Sequence, residues 1–311
     1  MKCFFNTTEF GMPEKTAVTL GKFDGVHRGH QKLIQTVCGA EDMSSVVFTF
    51  ASSPGAVLTG TRQSVLTTAD EKRCILESMG VDYLIEYPFN AAISHLAPEA
   101  FVRHVLVDQL NVGLVVTGND FRFGYKRAGD TALLADLGAR LGFRVEVMEK
   151  EKEGGRDISS SRIKEEMADG HLEEASKLLG RPYRIKEKVV HGIALARTLG
   201  IPTLNMIPSK EKMLPPNGVY ATRTWIHGRV FEGITNIGTK PTVTEKKTVV
   251  AETHLFHYHE DDLYDQILDI DLYHFIRPEI RFDSVAHLKE QMERDIETSK
   301  EYFGCMRGIA Q

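Results

Sequence analysis

Along the first half of the chain, short apolar runs alternate with stretches of helical periodicity. Residues 17–21 (AVTLG) form a compact apolar run closed by glycine, the pattern of a buried strand, and Leu33, Ile34, Val37 and Cys38 then recur at helical spacing. The same alternation continues with a strand at 46–50 (VVFTF) and a helix opened by the Thr68/Glu71 capping-box pair and ended at Gly80. A strand at 83–86, a helix marked by Phe101, Val102, Val105 and Leu106, a buried strand at 113–117, a helix over 131–141 and a strand at 143–148 complete the half. Strands separated by helices pair in parallel through right-handed crossovers, which predicts a doubly wound, Rossmann-like α/β domain with helices on both faces.

After Tyr183 the period changes. Residues 183–191, 219–226, 230–237, 248–258 and 267–275 read as strands broken by Gly, Pro, Asn or acidic turns, with no helix between them. Serial strands of this kind predict an antiparallel β-barrel, and Val285, Leu288, Met292 and Ile296 add a closing helix. The expected domains are 1–182 and 183–311, with the boundary near Pro182, and the polar run 149–157 is expected to be a surface loop.

Composition narrows the function more than the fold. The 311 residues are 42% hydrophobic and 26% charged, and 38 Lys+Arg against 43 Asp+Glu leave a net charge of −5. A mildly acidic chain without a basic run argues against nucleic-acid binding. No apolar stretch approaches the ~20 residues of a membrane helix, and the N-terminus has no signal-peptide core. Four scattered cysteines without a C-x-x-C pair fit reduced thiols, with Cys38 and Cys74 expected in the core, so a cytoplasmic protein is expected. The sequence leaves the oligomeric state open.

Two groups of residues carry chemistry. In the first half, 21–30 (GKFDGVHRGH) follows a strand and opens a helix, so backbone amides and the helix N-terminus can hold a phosphate. His27 and His30 at that start, as imidazolium donors, suit the charge that builds on phosphate oxygens in nucleotidyl transfer. Gly21, Gly25 and Gly29 let the chain pass close to a nucleotide. Ser159, Ser160 and Arg162 in ISSSRIK (158–164) suit a triphosphate, although Ser159 or Ser160 alone would serve equally as an N-cap. In GNDFRFG (118–124), Asn119 and Asp120 can bond a ligand and Phe121 and Phe123 can flank a flat ring; the plain alternative is a turn with two core phenylalanines.

In the second half, the segment from His191 to Asn205 (HGIALARTLGIPTLN) places Thr203 and Asn205 two residues apart on one side of an extended stretch. Two neutral oxygens suffice for Mg²⁺, which keeps waters and substrate phosphates as its other ligands. Glu252, a carboxylate on an otherwise apolar strand, can take a proton from a hydroxyl attacking a phosphate, or pair with a base at a barrel rim. His254, His257 and His259 are read as solvated rim histidines, since strand alternation separates His254 from the others.

FDGVHRGH, GNDFRFG, ISSSR, LLGRPY (178–183), PTLN (202–205), LPPNGVY (214–220), NIGTKPT (236–242) and AETH (251–254) occur in the order and spacing of one family. Over essentially its whole length the chain resembles the bacterial bifunctional riboflavin kinase/FAD synthetases. The resemblance implies phosphorylation of riboflavin to FMN by ATP in the C-terminal half. It implies transfer of AMP from ATP onto FMN in the N-terminal half, giving FAD and pyrophosphate, with Mg²⁺ in support. By this likeness His27 and His30 contact phosphates, with Phe23, Asp24 and Gly192 in the ATP-binding stretches. Ser159, Ser160 and Arg162 form a second phosphate motif, and Asn119 lies at the flavin or nucleotide edge. Thr203 and Asn205 are metal ligands, Glu252 is the base, and Arg277 and Phe282 in FIRPEIRFDS (275–284) neighbour the flavin.

Two departures stand out. Ala51, Ser52, Ser53 and Pro54 replace the family's Asp-Pro-His-Pro, and Ala196 replaces a glycine. A working but slower adenylyltransferase is the expectation. A kinase with an impaired adenylyltransferase, a flavin-binding regulator without turnover, and another nucleotidyltransferase sharing only the H-x-G-H loop are the competing readings.

Overall fold

A computed structural model describes residues 1–51, 64–191, 203–241, 247–258 and 262–309, in two compact units, 1–160 and 161–311. The first unit carries a six-stranded parallel sheet of β1 (Lys2–Phe5), β2 (Thr16–Leu20), β3 (Ser44–Phe50), β4 (Tyr83–Tyr87), β5 (Val112–Gly118) and β6 (Arg144–Met148). Their order is β1-β4-β3-β2-β5-β6. The edge strand β1 was not expected from the apolar pattern; four residues of mixed burial give too short a run to register.

Helices α1 (Arg28–Cys38) and α2 (Ala69–Ser78) cover one face, burying Ile34 and Leu76 against Val47 and Leu84. On the other face lie the helical stretch Pro98–Phe101, its π-helical continuation Val102–Gln109, and α3 (Thr131–Leu141), packed on Val18, Val46 and Phe48. Alternate strand residues point to opposite faces, so near-continuous apolar strands supply both cores. Cys38 packs beside the first core, but Cys74 is exposed because the inward face of α2 is taken by Glu71 and Leu76. The run 149–157 is a two-strand hairpin, β7 (Lys152–Glu153) with β8 (Arg156–Asp157), turning through Gly154 and Gly155.

From β2 onward, chain order reverses at one place in the sheet. From β2 the chain moves to β3 and β4, then returns to lay β5 on the other side of β2. Loops leaving the carboxyl ends of β2 and β5 therefore part at this switch point, where open α/β sheets bind ligands.

The second unit begins with α4 (Ser160–Ala168), whose first residue closes the first unit, and α5 (Leu172–Leu179). Six antiparallel strands follow: β9 (Tyr183–Val190), β10 (Leu204–Met206), β11 (Gly218–Ile226), β12 (Arg229–Pro241), β13 (Lys247–Leu255) and β14 (Ile267–Pro278). They close into a barrel in the order β10-β13-β12-β11-β14-β9. The division between units falls at Ser160/Ser161 rather than near Pro182, since α5 lies against β9 and β14.

Inside the barrel, the buried hydroxyls of Thr222, Thr235 and Thr253 bond in a chain at 3.0 and 2.8 Å. The opposite face of β11–β13 is covered by α6 (Val285–Ile309): Val219, Ile234 and Phe256 are buried there, with Ile276 and Ile296 packed against them.

Candidate active sites

The turn between β2 and α1 is bound tightly to the segment entering α2. Gly21 N–H donates to the Phe48 carbonyl at 3.1 Å. The Asp24 carboxylate accepts Leu66 N–H at 2.7 Å, and Gly25 N–H donates to Thr67 Oγ1 at 3.1 Å. Gly25 has φ +84°, a conformation that suits a residue without Cβ. Ser160 Oγ donates to the Asp24 carbonyl at 2.8 Å, joining the serine motif to the histidine loop.

These bonds revise two expected roles. Asp24 is 4% exposed and its carboxylate orders the loop; an anionic group there would repel a phosphate. Phe23 is fully buried, its ring edge-on to His30 at 5.1 Å, so it supports the histidine from within the core.

His27 is the N-cap of α1, its Nδ1 accepting His30 N–H at 3.4 Å. That bond leaves the proton of a neutral His27 on Nε2. The two imidazoles stack, with centroids 3.6 Å apart and planes 19° apart. Burial, then the adjacent His27 and Lys72, push the His30 pKa well below 6.5. His30 is therefore neutral at pH 7, not the imidazolium that the sequence suggests, and its buried Nδ1 has no partner among the described residues. Arg28 of the same motif is occupied elsewhere, reaching Glu151 at 2.5 Å and Glu153 at 2.7 Å on the hairpin.

At the end of β5, Asn119 is exposed and donates to Glu149 at 2.6 Å, while Asp120 pairs with Lys150 at 2.9 Å. Phe123 is 7% exposed within the core and stacks on Phe121 at 5.6 Å. Only the half-buried Phe121 retains a face for a flat ligand ring; Phe123 is a core residue, as the plain alternative had it. Ser159 is half-buried in the first unit. In the second unit Arg162 is 8% exposed and donates to Glu174 at 3.1 Å. Residues 52–54, Gly192, Ala196 and His259 lie outside the described residues.

In the second unit the expected kinase residues meet through strand register. Asn205 on β10 stands directly opposite Glu252 on β13, which stands opposite Asn236 on β12. In-register partners point to one face, and here it is the face beneath α6. A cavity of about 190 Å³ opens there, lined by Thr203, Asn236, Glu252, His254 and Arg277 from the barrel and by Phe282 and Asp295 from beyond β14. His254 is thus half-buried in the cavity wall, not a solvated rim residue, because it lies two residues along the strand from Glu252. Its neighbour His257 is exposed in a turn at φ 59°.

Arg277 is also committed. Its Nε and Nη2 reach Asp295 at 2.8 and 2.7 Å, with Asp295 only 2% exposed, and the guanidinium lies 5.8 Å from the Phe282 ring centre. Asn236 and Asp295 escaped the sequence reading, although Asn236 begins the quoted NIGTKPT string.

For a metal, the donors offered are the Thr203 hydroxyl and the Asn205 side-chain oxygen, both neutral and hard, near one carboxylate. That set fits a hard cation completed by phosphates and water, such as Mg²⁺. Among the described residues, no group of three or more His, Cys, Asp or Glu is arranged to hold a metal.

Comparison with known proteins agrees with this division of chemistry. Residues 10–162 match the family model described as FAD synthetase, and residues 179–303 the one described as riboflavin kinase. A bifunctional riboflavin kinase/FMN adenylyltransferase of Buchnera aphidicola is 37% identical, covering 94% of this chain and 95% of its own. That of Haemophilus influenzae is 36% identical over 92% and 94%. Among solved structures, a macrolide-efflux protein of Streptococcus pneumoniae has TM-score 0.86 at 28% identity, covering 96% of this chain and 98% of that one. Among the described residues, no helix is long and apolar enough to cross a membrane.

Proposed function

The chain belongs to the bifunctional riboflavin kinase/FMN adenylyltransferase family, and from that premise we propose how its two sites divide the work. It is an enzyme of flavin synthesis that phosphorylates riboflavin to FMN and adenylylates FMN to FAD, with ATP as the donor in both steps. The observation that carries the assignment of residues is the register Asn205–Glu252–Asn236, in which Glu252 and Asn236 line the cavity under α6 and Asn205 stands opposite Glu252.

In the kinase site, Glu252 takes the proton from the ribityl hydroxyl as its oxygen attacks the γ-phosphorus, and ADP leaves. Thr203 and Asn205 would hold Mg²⁺, which when bound neutralises phosphate charge. Phe282 and the apolar wall exclude water from the flavin side. In the adenylyltransferase site, a phosphate oxygen of FMN attacks the α-phosphorus of ATP and pyrophosphate leaves. The amides of the loop and the His27/His30 pair donate to oxygens that gain charge in that step, with no covalent intermediate.

Two substitutions separate the sites. Glu252→Gln should lower FMN formation by ~10²–10⁴-fold and leave FAD formation from supplied FMN intact. His30→Ala should lose about 100-fold in FAD formation and spare the kinase. Flavin chromatography after incubation with ATP and Mg²⁺ reads both. Near-normal kinase turnover in Glu252→Gln would remove that residue from the role of base.

A further inference from the structure

A neutral His30 leaves the adenylyltransferase loop short of positive charge, and one cation stands beside it without an assigned role. Lys72 lies in the first turn of α2, its N–H bonded to the Thr68 carbonyl at 2.9 Å. The capping box of that turn is complete, with Glu71 N–H on Thr68 Oγ1 at 3.3 Å and Thr68 N–H on Glu71 Oε2 at 2.9 Å. Immediately before it, Leu66 and Thr67 bond Asp24 and Gly25. The start of α2 is therefore fixed against the histidine loop, and Lys72 is close enough to His30 to lower the latter's proton affinity.

Lys72 is half-buried, and burial pushes its pKa down. Four charges reach it: Glu86 and Asp24 favour the ammonium, while Arg73 and Lys22 oppose it. Glu86 Oε2 takes Arg73 at 2.8 Å and Asp24 Oδ1 takes Leu66 N–H at 2.7 Å. Among the described residues, the Lys72 ammonium has no hydrogen-bond or ion-pair partner. A partly desolvated, unpaired cation opposes folding unless a ligand completes it. Titratable groups so placed cluster where function requires them.

We propose that Lys72 is a further catalytic residue of adenylyl transfer, a fixed cation that contacts the triphosphate of ATP beside His27 and His30. The proposal rests on the adenylyltransferase reading of this loop. An ammonium is a compact point charge with three donors, suited to phosphate oxygens in varied directions. In the reaction the bond from an FMN phosphate oxygen to the α-phosphorus forms. The bond from that phosphorus to the β-phosphate's bridging oxygen breaks, and pyrophosphate leaves with the electron pair. Lys72 forms no bond to phosphorus; its charge is matched to the oxygens that become more negative.

The test uses the full chain. Pyrophosphate release from FMN, ATP and Mg²⁺ is measured for wild type, Lys72→Met and Lys72→Arg. Lys72→Met should lose about 100-fold in kcat/KM for ATP, with Lys72→Arg recovering part of the loss. Riboflavin phosphorylation by the same preparations should be unchanged. The His30 ring, followed by NMR, should titrate at higher pH in Lys72→Met, a shift that a merely structural lysine far from the ring would not produce. Should Lys72→Met fail to fold, Lys72→Gln is read against the same outcomes. Undiminished FAD formation without the ammonium would overturn this proposal alone. A wild-type chain that phosphorylates riboflavin and forms no FAD would overturn the reading of the loop and this proposal with it.

Discussion

Phe23 and Val26, both fully buried, hold φ values of 49° and 40° in the left-handed region, which a β-branched residue such as Val26 strongly disfavours. Each such residue costs ~1–3 kcal/mol and persists only where its surroundings over-determine it. The bonds from Leu66, Thr67 and Ser160 do so here, and the result is a stiff turn that presents His27 and His30 before any ligand arrives. One consequence is measurable without substrate. His30 has a lower pKa folded than unfolded, where it lies near 6.5. Between those values the unfolded chain binds more protons, so His30 leaves stability intact above about pH 6.5 and removes it as the pH falls. Thermal unfolding of wild type from pH 7.5 to 5.5 should therefore decline more steeply than that of His30→Gln; parallel curves would contradict the buried neutral ring. The histidines and glycines were legible as a motif. Their protonation was not, because it depends on a stacked ring and on Lys72, 42 residues further along the chain.

At the scale of elements, the kinase cavity depends on α6 staying on the barrel. Arg277, at the end of β14, and Asp295, in α6, supply that connection, and Gln291 adds a bond to Asp295 at 3.0 Å. Removing one partner of a buried pair costs about 3 kcal/mol, the lower end of the usual range suiting an arginine that keeps 17% exposure. Asp295→Asn should accordingly lower the denaturant midpoint and raise the KM for riboflavin several-fold, because Arg277 and Phe282 share that cavity wall. FAD formation from FMN should hold. A lowered midpoint with an unaltered KM would show that the pair only fastens the helix. Sequence reading found five of the six barrel strands and the closing helix from their periods, and missed the three-residue β10. The family resemblance set Arg277 beside the flavin, while nothing local marks Asp295 as its partner; a pairing between a strand end and a helix turn has no periodicity to read.

At the scale of the whole molecule, the apolar and polar pattern gave two architectures and assigned 161–182 to the first. Pro182 and the Gly180-Arg181 turn punctuate the chain locally, which made them the natural boundary. An amphipathic helix, however, does not declare which core its apolar face will join. In the structure α5 buries Leu172, Ala175, Leu178 and Leu179, and Glu173 pairs with His274 on β14 at 2.5 Å. That exposed contact adds little; the leucines decide, at about 2 kcal/mol for each fully buried side chain. A fragment of residues 161–311 should therefore fold and phosphorylate riboflavin, whereas 183–311, lacking α5, should unfold several degrees lower or fail to remain soluble. Thermal unfolding and FMN formation by the two fragments measure the difference. Equal midpoints and equal turnover would place the structural boundary at Pro182 after all and reduce α5 to a linker.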